Sequence, residues 1–387
     1  MEGQREDRGF PIQKLPCLVT SQIIRLMETW EQIRLCLTSK KTEMITRSVN
    51  LPPMVYRCCF KDNNSAISIG AGNPCAFLTC GSEAPEVIVE NYVIKEELSK
   101  WLKPTDSNEL ETIMSLLEKV ILFIPQSYME IHLELAEMRT MSIQDIFSHP
   151  IIQNCEAVMI TGGEEIPSED LNCILDTASC LRRLKLTNTN PPYGYCHEKI
   201  FQIDDFESPS YEWMTIEFLF TLKNGVKTNI EKNPFSYADL NRFLKYWVHS
   251  EIDMFDDILC IKMEEDIPEN VLFDGITRLN SMRFVPRSYQ IKADSNHQQR
   301  SKLILCVWYE EGTLKLSSWT PDERLDDEAE AELFRQEYDA LIAVERRMEM
   351  KQTLKENYDD EEIQNEIRKL NEQLEKLQEQ LNFTIAE

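Results

Sequence analysis

Between Leu15 and Lys41 the apolar residues fall at helical intervals: Val19, Ile23 and Met27 recur every four residues and share one face, with Ile24 beside them. Pro16 sits where a first helix begins, a position that tolerates a missing N–H and a fixed φ. Thr29 to Gln32 reads as a T-x-x-Q capping box that restarts the chain as a second helix carrying Ile33 and Leu37, and a third short helix follows Ser39. Helices this short cannot bury so many apolar positions against one another alone. The surplus face predicts a partner.

Beyond residue 48 the pattern changes. Val55 to Phe60, Ala66 to Ile69 and Val87 to Ile94 read as strands, broken by Asp62-Asn63-Asn64 and by Gly70 to Pro74. A helix over about Glu109 to Phe123 follows. Ile131-x-Leu133-x-Leu135, Val158-x-Ile160, Leu184-x-Leu186 and Leu259-x-Ile261-x-Met263 then alternate as half-buried strands do. Helical segments between them open on Ser142 with Asp145, on Ser168, and on Ser236 with Asp239. Strand centres at 133, 160 and 186 lie 27 and 26 residues apart, inside the period of leucine-rich repeats. Cys155, Cys180 and Leu181-x-x-Leu184-x-Leu186 resemble the cysteine-containing variety, but Asn188 falls one residue early, so the repeats are degenerate. An ordinary α/β sheet with right-handed crossovers gives the same pattern, and both readings stand.

Residues 187–235 interrupt this scheme. Trp213, Thr215, Glu217 and Leu219 alternate with Met214, Ile216, Phe218 and Phe220, and Asn224-Gly225 precedes Val226 to Ile230, which predicts an inserted β-hairpin. Its loops are candidates for recognition.

From Asp322 onward 9 Lys and Arg stand against 21 Asp and Glu, with no Gly or Pro to interrupt a helix. Asn357 to Asp360 punctuate two helices. In the second, Ile363, Ile367, Leu370, Leu374, Leu377 and Leu381 are spaced 4, 3, 4, 3, 4, a heptad seam. A weak homodimer through this helix, docking on the domain and a partly disordered tail are the alternatives.

A net charge of -26 over 387 residues repels phosphate backbones and anionic lipid, so neither nucleic acid nor membrane is an expected partner. No apolar run is long enough to span a membrane, and the first residues lack the apolar core of a secretory signal, so an intracellular site, cytoplasmic or nuclear, is expected. The 12 cysteines are scattered, with Cys155, Cys180 and Cys260 in or beside apolar runs, and read as reduced core thiols. With no C-x-x-C pair, no zinc site is expected.

The N-terminal run resembles an F-box. That family's Leu-Pro start, its apolar positions and its Ser-Lys end fall, without a gap, on Leu15, Pro16, Val19, Ile23, Ile24, Met27, Ile33, Leu35, Leu37, Ser39, Lys40 and Lys41. Cys17, Gln32 and Thr42 depart from the pattern, standing where an acidic, an apolar and a Trp residue are common. The resemblance implies that these helices dock a small Skp-type adaptor and, through it, a cullin.

Downstream, Leu240, Asn241, Phe243, Leu244, Lys245 and Trp247, followed by Val248 and the strand from Leu259, look like the signature of the F-box-associated type-2 domain. Leu240, Phe243, Leu244 and Trp247 form a core-facing stripe, while Asn241 and Lys245 point elsewhere. Tyr289 to Trp308 resembles that family's closing strands.

The expected fold is α+β or α/β. A three-helix F-box (9–50) precedes a connecting α+β region (51–125), a degenerate leucine-rich-repeat-like body with the inserted hairpin (126–320), and an acidic helical tail (322–387). No Gly-rich phosphate loop, nucleophile elbow or paired-His helix is present, and Glu264-Glu265-Asp266 and Asp326-Asp327-Glu328 read as solvated faces. The sequence therefore predicts no catalysis, cofactor or metal. It predicts a substrate receptor of a Skp-cullin-F-box ubiquitin ligase with an unknown protein target; the alternative is an interaction scaffold organised by the acidic tail.

Overall fold

The structure, a computed structural model, describes residues 12–70, 76–81, 86–89, 92–94, 108–222, 228–254, 258–263, 267–281, 288–294, 300–321, 328–356, 361–381 and 384–386. Among them the chain forms eleven α-helices and two mixed sheets. It divides into two compact units, Met1–Asn190 and Pro191–Glu387. That division falls inside the expected 126–320 body, because the connecting region pairs with the first half of that body in one sheet. Phe10 and Pro11, Asn224-Gly225, Glu264-Glu265-Asp266, Asp326-Asp327 and Asn357 to Asp360 lie outside the described residues.

The first unit opens with α1 (Cys17–Leu26), α2 (Thr29–Thr38) and α3 (Lys40–Ser48). Strands β1 (Met54–Phe60), β2 (Asn64–Gly70), β3 (Ala76–Gly81), β4 (Glu86–Val89) and β5 (Tyr92–Ile94) then form an antiparallel meander. Next come α4 (Glu109–Ile121), β6 (Gln126–Glu134), α5 (Ile143–Phe147), β7 (Ala157–Thr161), α6 (Ser168–Thr177) and β8 (Arg183–Thr187). Within the unit the strand order is β5-β4-β3-β2-β1-β6-β7-β8, and β1, β6, β7 and β8 run parallel.

The three strands expected around 133, 160 and 186 form and are parallel neighbours in one sheet. Ile131 pairs with Val158 and Val158 with Leu184; Leu133 pairs with Ile160 and Ile160 with Leu186. All six side chains are buried, as alternation demands of a sheet with one covered face. Leu135 has left the strand for a 3-10 turn over Leu135–Glu137. Burial pushes the Cys155 thiol up to about 12, which keeps it protonated, whereas Cys180 is exposed and Cys260 half-buried, not core thiols. Ser142 caps α5 as predicted, but Ser168 is the first residue of α6 and Pro167 takes the cap position without a side-chain bond.

The second unit contains β9 (Asp205–Glu207), α7 (Ile216–Leu219), β10 (Thr228–Ile230), α8 (Tyr237–His249), β11 (Ile258–Lys262), α9 (Glu269–Leu272), β12 (Arg278–Ser281), β13 (Ser288–Lys292), β14 (Ile304–Glu310), β15 (Thr313–Trp319), α10 (Glu328–Glu356), α11 (Glu361–Leu381) and β16 (Thr384–Ala386). One sheet runs β10-β11-β15-β14-β13-β12-β16. The Leu259 strand, expected to be a fourth repeat, is β11 of this sheet, parallel to β10 and antiparallel to β15. Glu311 and Gly312, at φ 51 and 74, make the two-residue turn between β14 and β15 that right-handed strand twist favours.

The inserted hairpin does not form. Ile216–Leu219 is a helical turn, and the short β10 pairs with β11 instead. Trp213 and Leu219 are buried, and so are Met214, Ile216 and Phe218 of the opposite parity. A hairpin with one wet face cannot bury both parities; a helical turn inside an aromatic cluster does. Phe218 lies 4.6 Å from Phe201 and 5.5 Å from Trp213, ring centre to ring centre.

The acidic tail folds back as an α10–α11 hairpin. Leu279 of β12 packs with Ala340, Leu341 and Val344 of α10 and with Leu370 and Leu374 of α11. The heptad seam therefore docks within the chain, with Leu370 and Leu374 buried and Ile363, Ile367 and Leu377 half-buried; the Leu381 side chain lies outside the described residues. Glu337 of α10, 4% exposed, accepts from Ser281 Oγ at 2.8 Å and Gln290 Nε2 at 2.6 Å, satisfying a carboxylate that burial otherwise penalises. Leu374→Ala is expected to cost about 2–4 kcal/mol through lost burial and a cavity. Hydrogen exchange reads this directly: α11 amides should exchange faster than in the parent, and unchanged rates would deny the in-chain docking.

Candidate partner-binding surface

The N-terminal helices are held together by polar contacts as much as by apolar ones. Glu28 and Glu31 form the capping box of α2, with Glu28 N–H donating to Glu31 Oε2 at 2.9 Å, so the cap lies one residue before the predicted Thr29. Gln32 is buried and donates from Nε2 to the carbonyls of Ile24 at 3.0 Å and Met27 at 3.1 Å. It closes the C-terminal end of α1, where helix carbonyls otherwise lack partners. Ser39 caps α3 in a box with Thr42, whose hydroxyl accepts from Ser39 N–H at 3.1 Å. Two departures from the F-box pattern, Gln32 and Thr42, thus have structural work: each satisfies a helix end. Cys17, the third, is exposed at the start of α1.

Inside this unit Ile24 and Ile33 are fully buried and Leu37 nearly so. These three predicted contact residues hold the helices and are not on the surface. Pro16, Val19 and Lys40 are exposed, and Leu15, Ile23, Met27, Leu35 and Ser39 are partly exposed. The exposed apolar residues the sequence reading missed are Leu18 at 74%, Leu26 at 85% and Met44 at 71%. On α1, Leu18, Val19 and Leu26 share one side, opposite Ile24, and the partly exposed Leu15 lies just before the helix. The signal was present: two apolar stripes run along one short helix, and only one of them can face inward.

Charge around the stripe runs against the rest of the chain. Residues 12–48 carry Lys14, Arg25, Arg34, Lys40, Lys41 and Arg47 against Glu28, Glu31 and Glu43, a positive excess in a protein of net charge -26. Such a surface suits an apolar contact with a partner of acidic rim.

The apolar residues of α8 that resemble a type-2 signature pack in the core. Leu240, Phe243, Leu244 and Trp247 of α8 are at most 1% exposed. Asn241, expected to point elsewhere, is buried and donates from Nδ2 to the carbonyls of Leu272 at 2.9 Å and Asp274 at 3.0 Å, tying α8 to α9. Lys245 reaches Asp274 at 3.6 Å. The Arg300 guanidinium lies 3.9 Å from the Trp247 ring centre and donates to the carbonyls of Trp247 at 2.6 Å and Ser250 at 2.9 Å. Burial lowers the Arg300 pKa to about 10, so it remains charged at neutral pH.

Among the described residues no group of three or more His, Cys, Asp and Glu is arranged to hold a metal, and no helix is long and apolar enough to cross a membrane. No family model, curated protein or solved structure matches this chain.

Proposed function

We propose that this chain is a non-catalytic substrate receptor of a Skp-cullin-F-box ubiquitin ligase, acting in the cytoplasm or nucleus. The observation that carries the reading is the exposed stripe of Leu18, Val19 and Leu26, with Met44 of α3 also exposed, on three short helices that resemble the F-box pattern without a gap. The helices dock the Skp-type adaptor through this stripe, and the adaptor brings the cullin. The parallel β6–β7–β8 ladder, with strands 27 and 26 residues apart in register, supports a degenerate leucine-rich-repeat-like reading of the first unit's body. The signature helix α8 supports an F-box-associated type-2 domain in the second.

The mechanism is proximity. A target held by the body is tethered near the ubiquitin-loaded enzyme, which raises effective concentration without the receptor touching the reacting bond. Co-expression with a Skp-type adaptor tests the reading: the full chain is expected to co-purify with it, and a chain lacking residues 1–50 is not. Equal recovery of the adaptor by both chains would refute adaptor docking through these helices.

A further inference from the structure

The sheet of the second unit ends on two three-residue strands, β10 at one edge and β16 at the other. Residues 382–383 alone separate β16 from α11. β16 lies antiparallel along the outer edge of β12, with Asn280 opposite Thr384, Leu279 opposite Ile385 and Arg278 opposite Ala386. It spans three of the four residues of β12. Among the described residues no further strand covers this side, so without β16 the main-chain N–H and C=O groups of β12 would form an open sheet edge.

The edge is shaped on both faces. On the Leu279 face, Leu370 and Leu374 of α11 are buried in the same cluster and Leu377 packs against it, an apolar wall for whatever residue stands opposite Leu279. On the other face, Asn280 Oδ1 is buried and accepts no hydrogen bond among the described residues, which leaves a place for a donor. The occupant itself is weak. A three-residue strand makes few ladder bonds, and the small net gain of each is offset by the entropy of ordering the residue that makes it. The two-residue tether to α11 is what keeps β16 in place, by holding it near β12 at a millimolar effective concentration. A free segment of the same kind, long enough to pair along all of β12, can displace it.

We propose that the β12 edge is a strand-acceptor site for an extended segment of a partner protein, in which a hydrogen-bond donor opposite Asn280 is followed by an apolar residue opposite Leu279, and that β16 is its displaceable in-chain occupant. The inference goes beyond adaptor docking: β12 and β16 belong to the second unit, and the site stands whether or not the N-terminal helices bind an adaptor.

The test uses the full chain with methyl-labelled leucine and, as probe, a synthetic peptide of residues Asn382 to Glu387. Ile385→Asp sets a carboxylate at the position opposite Leu279 and should release β16, read as a shift of the Leu279 methyl resonances. Ile385→Pro, which removes an N–H and fixes φ, should do the same. The peptide is expected to return these resonances toward their parental positions in both variants. It should bind the variants at least about fivefold more tightly than the parent, where the tethered strand competes. The same peptide carrying Ile385→Asp should leave the resonances where they are. Parental Leu279 resonances in both variants, no return on adding the peptide, or an equal response to the Ile385→Asp peptide overturns the proposal.

Discussion

Leu18→Asp combined with Leu26→Asp is expected to abolish co-purification of a Skp-type adaptor while leaving the chain folded. Both side chains stand in solvent, 74% and 85% exposed, so a carboxylate at either position costs little in the free protein. In the proposed complex each is covered. Burying an unpaired carboxylate in an apolar interface costs several kcal/mol, and each 1.4 kcal/mol is about a factor of ten in affinity. A loss of at least about 100-fold is therefore expected. The circular dichroism and melting of the double variant should match the parent. Ile24→Asp provides the contrast, because Ile24 is fully buried and its replacement should unfold the N-terminal helices themselves. Recovery of the adaptor at parental levels by the Leu18/Leu26 variant would remove the stripe from the interface.

Trp247→Ala is expected to destabilise the second unit by about 3–5 kcal/mol, the range for a large aromatic deleted from a core. Trp247 is 1% exposed, so nearly all of its ring leaves contact with protein. The loss extends beyond packing, because the ring also covers the Arg300 guanidinium at 3.9 Å; without it a buried cation keeps its carbonyl acceptors but loses the face that shields it. With a urea slope of about 1–3 kcal/mol per molar, the midpoint should fall by at least about 1 M. A variant that unfolds at the parental midpoint yet loses a binding partner would make Trp247 a recognition residue.

The contrast between these two tryptophan- and leucine-bearing helices shows where local pattern was sufficient. In α8 one apolar stripe, Leu240, Phe243, Leu244 and Trp247, had one interior to face, and the predicted core positions are the buried ones. In α1 two stripes competed. Periodicity placed Val19, Ile23 and Met27 on one face but carried no sign for which face turned inward, and only the tertiary structure buries Ile24 while leaving Leu18 and Leu26 exposed. Asn241 was misread for a related reason: its partners, the carbonyls of Leu272 and Asp274, lie more than thirty residues away.

What the sequence determined by itself is therefore local or strictly periodic. It contained the three N-terminal helices, the Ser142 and Ser236 caps, and the alternating strands that carry Ile131, Val158 and Leu184. Each follows from spacing or from a side chain reaching a backbone group within three residues. Tertiary structure decided the rest. It sent the Leu259 strand to a second sheet, because strand alternation specifies a face and not a neighbour. It turned 216–219 into a helix, because both parities had to be buried. It closed the heptad seam onto β12 and α10, because an apolar seam is satisfied by whichever apolar surface it meets, and the chain itself supplied one.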